Sequence, residues 1–392
     1  MKNKYLLFSV TGTDHPGITS NLMKKITQCE QTILDMGQSV THNLLSLSIY
    51  LEITNPDKES ELIKELLYQT NQMGLSLDYK IIEKSEDFPW YNYEKFVLNC
   101  ISTTNLNPSF ITDISTVLAK NNINIIRIDN VHPTNFKCLE IVTTLPPEIN
   151  LEKVKNELLE TSVANQVDVA FLKDNVFRRS KRLIVFDMDS TLIQTEVIDE
   201  MAIACGKGKE VAEITEQAMN GEMDFDQSLT KRVAMLKGLD EKKLGEIYRN
   251  LQLTKGSKEF INTVKSLGYK IAIISGGFTY FADKLRADLG LDYSFANELE
   301  IRNGQATGNI SGTIVNAQQK ATLLKLIAQQ EKIALEQVVA VGDGANDLPM
   351  LATAGLGIAY HAKDIVRENA QHHMSHGPMT SILYFLGIPG PL

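Results

Sequence analysis

Three short apolar runs in the second half of the chain constrain its fold most strongly. "RLIVFD", "YKIAIISGG" and "QVVAVGDG" are rich in β-branched residues, and each ends abruptly in small or acidic residues. Continuous apolar runs of this kind are typical of strands buried on both faces, as in a parallel sheet. Ligands of open parallel sheets bind beyond the carboxyl ends of the strands. The three unusual strand ends are therefore expected at one ligand-binding edge.

The first run ends in two aspartates one residue apart, Asp187 and Asp189, within "FDMDST". Residues i and i+2 of an extended segment point the same way, so the two carboxylates can converge. A lone pair of this kind is more often a solvated turn or a helix N-cap. Two adjacent carboxylates also repel each other unless a cation lies between them. The motif alone therefore leaves both a structural turn and a cation site open.

A second acidic cluster favours the cation site. "VGDGANDLPM" brings Asp343 and Asp347 to the end of another strand of the same sheet. Such hard oxygen ligands suit Mg²⁺, which usually shares its coordination shell with a phosphate. Ser275-Gly276-Gly277 offers a hydroxyl and unhindered backbone N–H groups that can hold phosphate oxygens, and Lys320 adds a positive charge. Taken alone, the Ser-Gly-Gly segment would be a turn and Lys320 a solvated lysine. Together with the aspartates, these groups supply the nucleophile and the charge neutralisation that phosphoryl transfer requires.

The first 172 residues read as two consecutive βαββαβ units of about 80 residues, which indicates an internal duplication. "KSEDFPWYNYE", Lys84 to Glu94, is a predicted linker between them. We place the domain boundaries at 1–88, 94–173 and 181–392. Within the last domain, a mostly helical insert at about 197–253 is a predicted small cap. "NELEIRNGQATGNISG" is a predicted hairpin with Asn303-Gly304 at its tip.

The composition excludes several classes of protein. The chain is 43% hydrophobic and 22% charged, and no apolar run approaches the roughly 18 residues of a membrane span. The N-terminal segment lacks the features of a signal peptide, so a cytoplasmic protein is expected. A net charge of −9 disfavours a nucleic-acid binder. The four cysteines form no CxxC pair, which indicates reduced thiols. The histidines near the C-terminus, His372, His373 and His376, are predicted to lie in a solvated segment.

Several motifs together resemble those of a known family. "FDMDST", "SGG", Lys320 and "GDGANDLPM", in this order and at these spacings, resemble the haloacid dehalogenase superfamily and, within it, the phosphoserine phosphatase branch. The resemblance runs from about Lys181 to the C-terminus and includes the cap segment "MDFDQSLTKRVAMLKGL". It implies an α/β fold with a Rossmann-like parallel-sheet core and a small helical cap. The two N-terminal units resemble ACT domains, which are ferredoxin-like, and tandem ACT units before a phosphatase are a known arrangement in this family.

The resemblance also implies roles for the acidic residues. Asp187 would be the nucleophile that forms an aspartyl-phosphate, and Asp189 the general acid and base. Asp187, the backbone carbonyl of Asp189, and Asp343 would hold Mg²⁺. Asp347 would orient Lys320 or the metal-bound waters from outside the coordination shell.

The remaining roles concern the substrate, O-phospho-L-serine, which the family hydrolyses to L-serine and phosphate in the last step of phosphorylated serine biosynthesis. Residues expected to bind its phosphoryl group or line its site are Ser275, Gly276, Lys320 and Asn346. Glu196 and Arg232 stand where the family binds the ammonium and carboxylate groups. Phe225 would shield the closed site from water. Taken alone, Glu196 is equally well a first-turn helix acid, and Arg232 a solvated helix residue.

The first ACT-like unit carries the turn "TGTDHPGI", so Gly12, Asp14, Pro16 and Gly17 are a candidate effector site for an amino acid, most plausibly serine. The second unit departs from this pattern in "STTNLNPSF", so for this unit a packing or dimerisation role is as open as ligand binding. A homodimer is expected.

Three other functions are alternatives to the phosphoserine phosphatase hypothesis. A phosphatase of another small phosphomonoester, such as phosphohomoserine, would share the site chemistry. An amino-acid-sensing protein with a relic phosphatase domain is disfavoured because the site residues are all present. A glycosyltransferase with a DxD motif would explain neither Ser275-Gly276-Gly277 nor the second acidic cluster.

Overall fold

The computed structural model describes residues 4–82, 93–131, 135–219 and 222–391. The chain forms two compact units, Met1–Tyr91 and Asn92–Leu392. Most of the predicted linker lies outside the described residues. Within the described ranges, no helix is long and apolar enough to cross a membrane.

The N-terminal unit is a four-stranded antiparallel sheet with two helices. Its elements are β1 Tyr5–Thr13, α1 Ile18–Gln28, β2 Thr32–Thr41, β3 Leu44–Glu52, α2 Glu59–Gln72 and β4 Ser76–Ile82, with strand order β2-β3-β1-β4. Strand β3 alternates buried and exposed residues, so its apolar side chains lie on one face. Residues Ile18, Leu22 and Ile26 of α1 pack into the same core. The predicted βαββαβ order is confirmed.

A second sheet of the same topology begins the larger unit. Its elements are β5 Glu94–Ile101, α3 Pro108–Lys120, β6 Asn124–Asn130, β7 Cys138–Leu145, α4 Leu151–Asn165 and β8 Asp168–Lys173, with strand order β6-β7-β5-β8. Strand β7 is buried at every position, unlike the alternating β3. Both faces of this second sheet are therefore covered in the region of β7.

The rest of the larger unit is built on a seven-stranded sheet. Its strands are β9 Leu183–Phe186, β10 Lys270–Phe278, β11 Tyr293–Arg302, β12 Gln305–Ser311, β13 Val338–Gly342, β14 Leu356–Tyr360 and β15 His372–Met374, in the order β12-β11-β10-β9-β13-β14-β15. All neighbours are parallel except β11 and β12. The chain leaves β9 towards β10 and later returns on the opposite side as β13. The carboxyl end of β9 is therefore a topological switch point, where ligands of such sheets bind.

Helices cover this sheet and extend above its carboxyl edge. Between β9 and β10 lie α5 Val197–Ala204, α6 Gly208–Met219, α7 Phe225–Ala234, α8 Glu241–Asn250 and α9 Ser257–Ser266; later come α10 Thr279–Leu289, α11 Ala317–Gln330, α12 Leu348–Thr353, α13 Asp364–Asn369 and α14 Ile382–Phe385. The hairpin of β11 and β12 turns at Asn303 and Gly304, with φ values of 53° and 76°. These values suit a two-residue hairpin turn, so the predicted hairpin is confirmed.

The second antiparallel sheet shares a hydrophobic core with the parallel sheet, through Ile101, Cys138, Ala170 and Leu172. Asp168, which is fully buried at the start of β8, accepts hydrogen bonds from three consecutive backbone N–H groups just after β15. The donors are Ser375 at 2.7 Å and His376 and Gly377 at 3.1 Å each. These two parts of the larger unit are therefore joined by a buried carboxylate as well as by apolar packing.

The prediction of a solvated histidine segment is wrong for His372 and His373, which are only 7% and 6% exposed. Both lie on the edge strand β15, against which α4 and β8 pack. The Oγ atom of Ser162 in α4 lies 3.2 Å from Nε2 of His373. These two residues are 211 positions apart in the chain, so no local pattern indicates the contact.

The predicted fold class, a parallel-sheet core with a helical insert preceded by two ferredoxin-like units, is confirmed. The domain boundaries stay a prediction.

Candidate active site

The two aspartates after β9 lie at the carboxyl edge of the sheet. The backbone N–H of Asp187 donates to the carbonyl of Val341 in β13 at 2.8 Å, which keeps the first aspartate in register with the neighbouring strand. Ser190 has a φ of 55°, so the chain turns immediately after Asp189. Asp187 and Asp189 are only 6% and 8% exposed. A solvated turn is therefore excluded for this motif.

Lys320 lies inside the acidic cluster and is 0% exposed. Its Nζ atom is 2.8 Å from Oδ1 of Asp187 and 2.6 Å from Oδ1 of Asp347. Burial lowers the pKa of Lys320, but the two carboxylates outweigh burial and raise the pKa above its ordinary value. Lys320 is therefore a buried cation, and not the solvated lysine that its position in the sequence would suggest on its own.

One oxygen from each of Asp187, Asp343 and Asp347 lies within 4.8 Å of the others. Burial and, after it, the charge of Asp347 raise the pKa of Asp187. Burial also raises the pKa of Asp343 to about 7, although a hydrogen bond from Thr191 opposes the shift. That hydroxyl donates to Oδ1 of Asp343 at 2.6 Å. Thr191 is a site residue that the sequence reasoning missed, because a threonine after a DxD turn carries no distinctive signal.

The donor set fits a hard divalent cation. Both oxygens of Asp347 already have partners, since Oδ1 meets Lys320 and Oδ2 accepts from the backbone N–H groups of Asp343 and Gly344 at 3.1 and 2.9 Å. The carboxylates of Asp187 and Asp343 retain oxygen atoms without a hydrogen bond to described residues. Oxygen ligands of this kind, partly shared with a phosphate, are what Mg²⁺ prefers.

Asp189 has a different environment from Asp187. Its Oδ1 atom accepts a hydrogen bond from the backbone N–H of Val197 at 2.9 Å, and its Oδ2 atom lies 3.5 Å from Oγ of Ser275. Burial, together with the neighbouring Glu196 carboxylate, raises the pKa of Asp189 to about 8. Asp189 makes no ion pair with Lys320, whereas Asp187 does. Burial raises the pKa of both aspartates, and only Asp187 of the two has the ion pair that favours its charged form.

The carboxyl end of β10, from Ser275 to Gly277, is held by a buried asparagine. The backbone N–H of Gly277 donates to Oγ of Ser275 at 2.8 Å. Nδ2 of Asn297 donates to the carbonyl of Gly276, and its Oδ1 accepts from the N–H of Val315, both at 2.8 Å. Asn297 was missed from the sequence, because a single amide within a strand such as "YSFANEL" is unremarkable until its neighbouring strand is known.

Phe225 of the helical insert and Asn346, which follows β13, both lie beside this end of β10. A Cβ atom at position 276 would lie 3.0 Å from Cζ of Phe225 and 3.6 Å from Nδ2 of Asn346. Phe225 therefore lies directly on the backbone of Gly276, and Asn346 borders the same space. Both residues therefore lie beside Gly276, and their predicted roles toward a substrate stay predictions.

Arg232 and Glu196 lie in the same region. Oε1 of Glu196 accepts a hydrogen bond from Oγ of Ser190 at 2.8 Å. Nε of Arg232 is buried and has no hydrogen-bond partner among the described residues. Burial lowers the pKa of Arg232, while the carboxylates of Glu196 and Asp199 oppose this shift. A solvated helix face is therefore excluded for Arg232, and its guanidinium is available to an anionic group.

The candidate effector residues belong to the N-terminal unit. Asp14, Pro16 and Gly17 line a pocket of about 330 Å³, together with Thr19 and Gln38 among others. Gly12 does not line it. A side chain at Gly12 would instead lie 2.6 Å from Cδ2 of Leu75, so this glycine permits close packing. The structure brings three of the four predicted residues to one pocket.

Comparison with known proteins agrees with these features. Residues 181–355 match the haloacid dehalogenase-like hydrolase family, and residues 4–80 match the ACT domain. A phosphoserine phosphatase of Streptomyces coelicolor is 36% identical over 383 residues, covering 98% of this chain and 92% of the relative. The chain belongs to the phosphoserine phosphatase family. It is an enzyme, a phosphoric monoester hydrolase.

Two solved structures are also similar. A haloacid dehalogenase family hydrolase of Salmonella enterica serovar Typhi has a TM-score of 0.65 at 35% identity, covering 74% of this chain and 98% of the other. A phospho-aspartyl intermediate analogue of phosphoserine phosphatase has a TM-score of 0.50 at 43% identity, covering 53% of this chain and 99% of the other. The match to the second structure therefore covers about half of this chain.

We expect the variant Gly277→Ala to lose about 100-fold or more in phosphatase activity. Its Cβ atom would lie 2.5 Å from Oδ2 of Asp189 and 2.8 Å from Cε of Met188, so the acidic side chain must move. A displacement of about 1 Å at a catalytic group can cost about 10²-fold in rate. The measurement is kcat/KM for phosphate release, with circular dichroism to verify folding. Gly37→Ala is the control, since no atom lies within 4 Å of its Cβ position. Unchanged activity in Gly277→Ala would contradict the prediction.

Proposed function

We propose that this enzyme hydrolyses O-phospho-L-serine to L-serine and phosphate, the last step of phosphorylated serine biosynthesis. The observation that carries the proposal is the unpaired, buried Nε of Arg232 beside Glu196, in the same unit as the phosphate-binding groups. An arginine can bind a carboxylate through two parallel hydrogen bonds, and a glutamate can accept from an ammonium group. Both charged ends of an amino acid therefore find partners when its phosphate lies against Ser275 and Lys320.

In the proposed reaction, an oxygen of Asp187 attacks phosphorus as the bond to the serine oxygen breaks. Lys320, the hydroxyl of Ser275 and the N–H of Gly276 offset the charge on the other phosphoryl oxygens. Asp189 gives its proton to the departing serine oxygen. The same carboxylate then removes a proton from a water molecule, whose oxygen attacks phosphorus and releases phosphate while Asp187 is regenerated.

Mg²⁺ would be held by Asp187, Asp343 and the backbone carbonyl of Asp189. When bound, it would offset the repulsion between the carboxylates and the negative charge of the phosphoryl group. Asp347 would keep its partners and hold Lys320 in place.

The substrate is tested by phosphate release from a panel of phosphoserine, phosphothreonine, phosphohomoserine and phosphoethanolamine. We expect the highest kcat/KM for phosphoserine, loss of activity with a chelator, and recovery with Mg²⁺.

Arg232→Lys should raise the KM for phosphoserine by about tenfold, because an ammonium group cannot form the bidentate hydrogen bonds that a guanidinium forms with a carboxylate. The same change should affect phosphoethanolamine much less, since this substrate has no carboxylate. A panel led by phosphohomoserine would favour the alternative phosphatase.

The two aspartates should differ when each is replaced by asparagine. Asp187→Asn should abolish turnover, because an amide is not a competent nucleophile. Asp189→Asn should lower turnover by about 10²- to 10⁴-fold, the usual contribution of a general acid or base. Mass spectrometry after acid quenching should detect a phosphoryl adduct on the wild-type chain and none on Asp187→Asn. Substantial turnover by Asp187→Asn would refute the covalent route.

We also propose that the N-terminal ACT domain binds an amino-acid effector, serine, at Asp14, Pro16 and Gly17, and that the protein acts as a cytoplasmic homodimer. Calorimetry should detect serine binding to the wild-type protein and weaker binding to Asp14→Ala. Asp57→Ala is a suitable control, because Asp57 does not line the pocket. Absence of both serine binding and any effect of serine on the rate would end the proposal of an effector site.

The proposed homodimer is tested by light scattering, which should give twice the mass of one chain.

A further inference from the structure

The segment that follows α7, from Gly238 to the start of α8 at Glu241, is fixed to the β11–β12 hairpin by backbone hydrogen bonds. The N–H of Gly238 donates to the carbonyl of Ala306 at 2.8 Å, and the N–H of Ala306 donates to the carbonyl of Leu239 at 2.9 Å. A third bond joins the N–H of Glu241 to the carbonyl of Gly304 at 2.9 Å. This segment of the helical insert is therefore joined to the edge of the sheet.

The N-terminal end of α7 meets the core through side chains. Nδ2 of Asn316 lies 3.2 and 3.1 Å from the two carboxylate oxygens of Asp226 and donates to them. The other side-chain atom of Asn316, Oδ1, accepts from the N–H of Gln319 at 3.1 Å and so caps α11. Asn316 therefore caps α11 and also contacts α7 of the helical insert.

This contact lies next to two residues of the candidate active site. Phe225, which precedes Asp226, lies on the backbone of Gly276. Lys320 lies one turn after Asn316, and its N–H donates to the Asn316 carbonyl at 2.8 Å. The contact therefore joins Phe225, which lies over Gly276, to α11, the helix that carries Lys320.

We propose that Asp226 and Asn316 form a positioning pair that holds the first turn of α7, with Phe225, over the Ser275–Gly277 end of β10. The pair touches no reacting atom, and the proposal rests on the proposed function of this site. Because the segment after α7 is tied to the hairpin, the pair would restrain the part of α7 that lies farthest from that attachment.

The variant Asn316→Asp tests the pair with little disturbance of α11, since aspartate is as good an N-cap as asparagine. It places a carboxylate against Asp226 and removes the donor. We expect the KM for phosphoserine to rise about tenfold, the scale of one hydrogen bond to a charged group, while kcat changes by less than about threefold. Amide hydrogen exchange in the first turn of α7 should become faster.

The double variant Asp226→Asn with Asn316→Asp reverses the pair. The asparagine introduced at position 226 can donate to the new carboxylate, so both KM and the exchange rate should return close to the wild-type values. A wild-type KM in Asn316→Asp, or no recovery in the reversed pair, would overturn the proposal.

Failure of the proposed substrate would be seen separately, as a wild-type enzyme inactive on phosphoserine. The pair is then tested by the same variants with the best substrate of the panel and by the exchange rates, which do not depend on turnover.

Discussion

The ammonium group of Lys320 is the charge on which the arrangement of the site depends. Lys320 belongs to α11, and its ammonium group lies between Asp187, which follows β9, and Asp347, which follows β13. One buried cation therefore connects α11 to the ends of two strands. A buried charge is tolerated only when it is paired and its partners are hydrogen-bonded. Asp347 meets this condition through two backbone N–H groups. Without the lysine, three closely spaced carboxylates would lack this positive charge, and their charged forms would be less favourable.

The same edge is crowded enough to require glycine. A Cβ atom at Gly342 would lie 2.5 Å from Cγ of Asp347, and one at Gly277 would lie 2.5 Å from Oδ2 of Asp189. Real Cβ atoms do not approach so closely, so the carboxylates occupy space that the missing side chains leave open. The charged groups and the glycines of "SGG" and "GDG" therefore depend on each other.

The two ACT-like units have diverged in structure as well as in sequence. The first has a pocket at its Asp14–Gly17 turn. The second shares its core with the parallel sheet and contributes Asp168, whose carboxylate binds three backbone N–H groups after β15. Removal of that carboxylate would leave three donors unsatisfied in a buried place. Of the roles left open for the second unit, namely ligand binding, packing and dimerisation, packing is the one that these contacts support.

The sequence by itself determined the strand and helix order, the edge at which the acidic motifs meet, and most of the residues that the structure brings together there. These features follow from local patterns: apolar runs, spacing within "FDMDST", and glycines beside acids. Tertiary structure decided the partners of Asn297 and Asn316, the burial of His373 and of the Nε atom of Arg232, and the different environments of Asp187 and Asp189. Each of these depends on side chains brought together from distant parts of the chain, and a periodic pattern in one segment carries no information about which other segment will cover it.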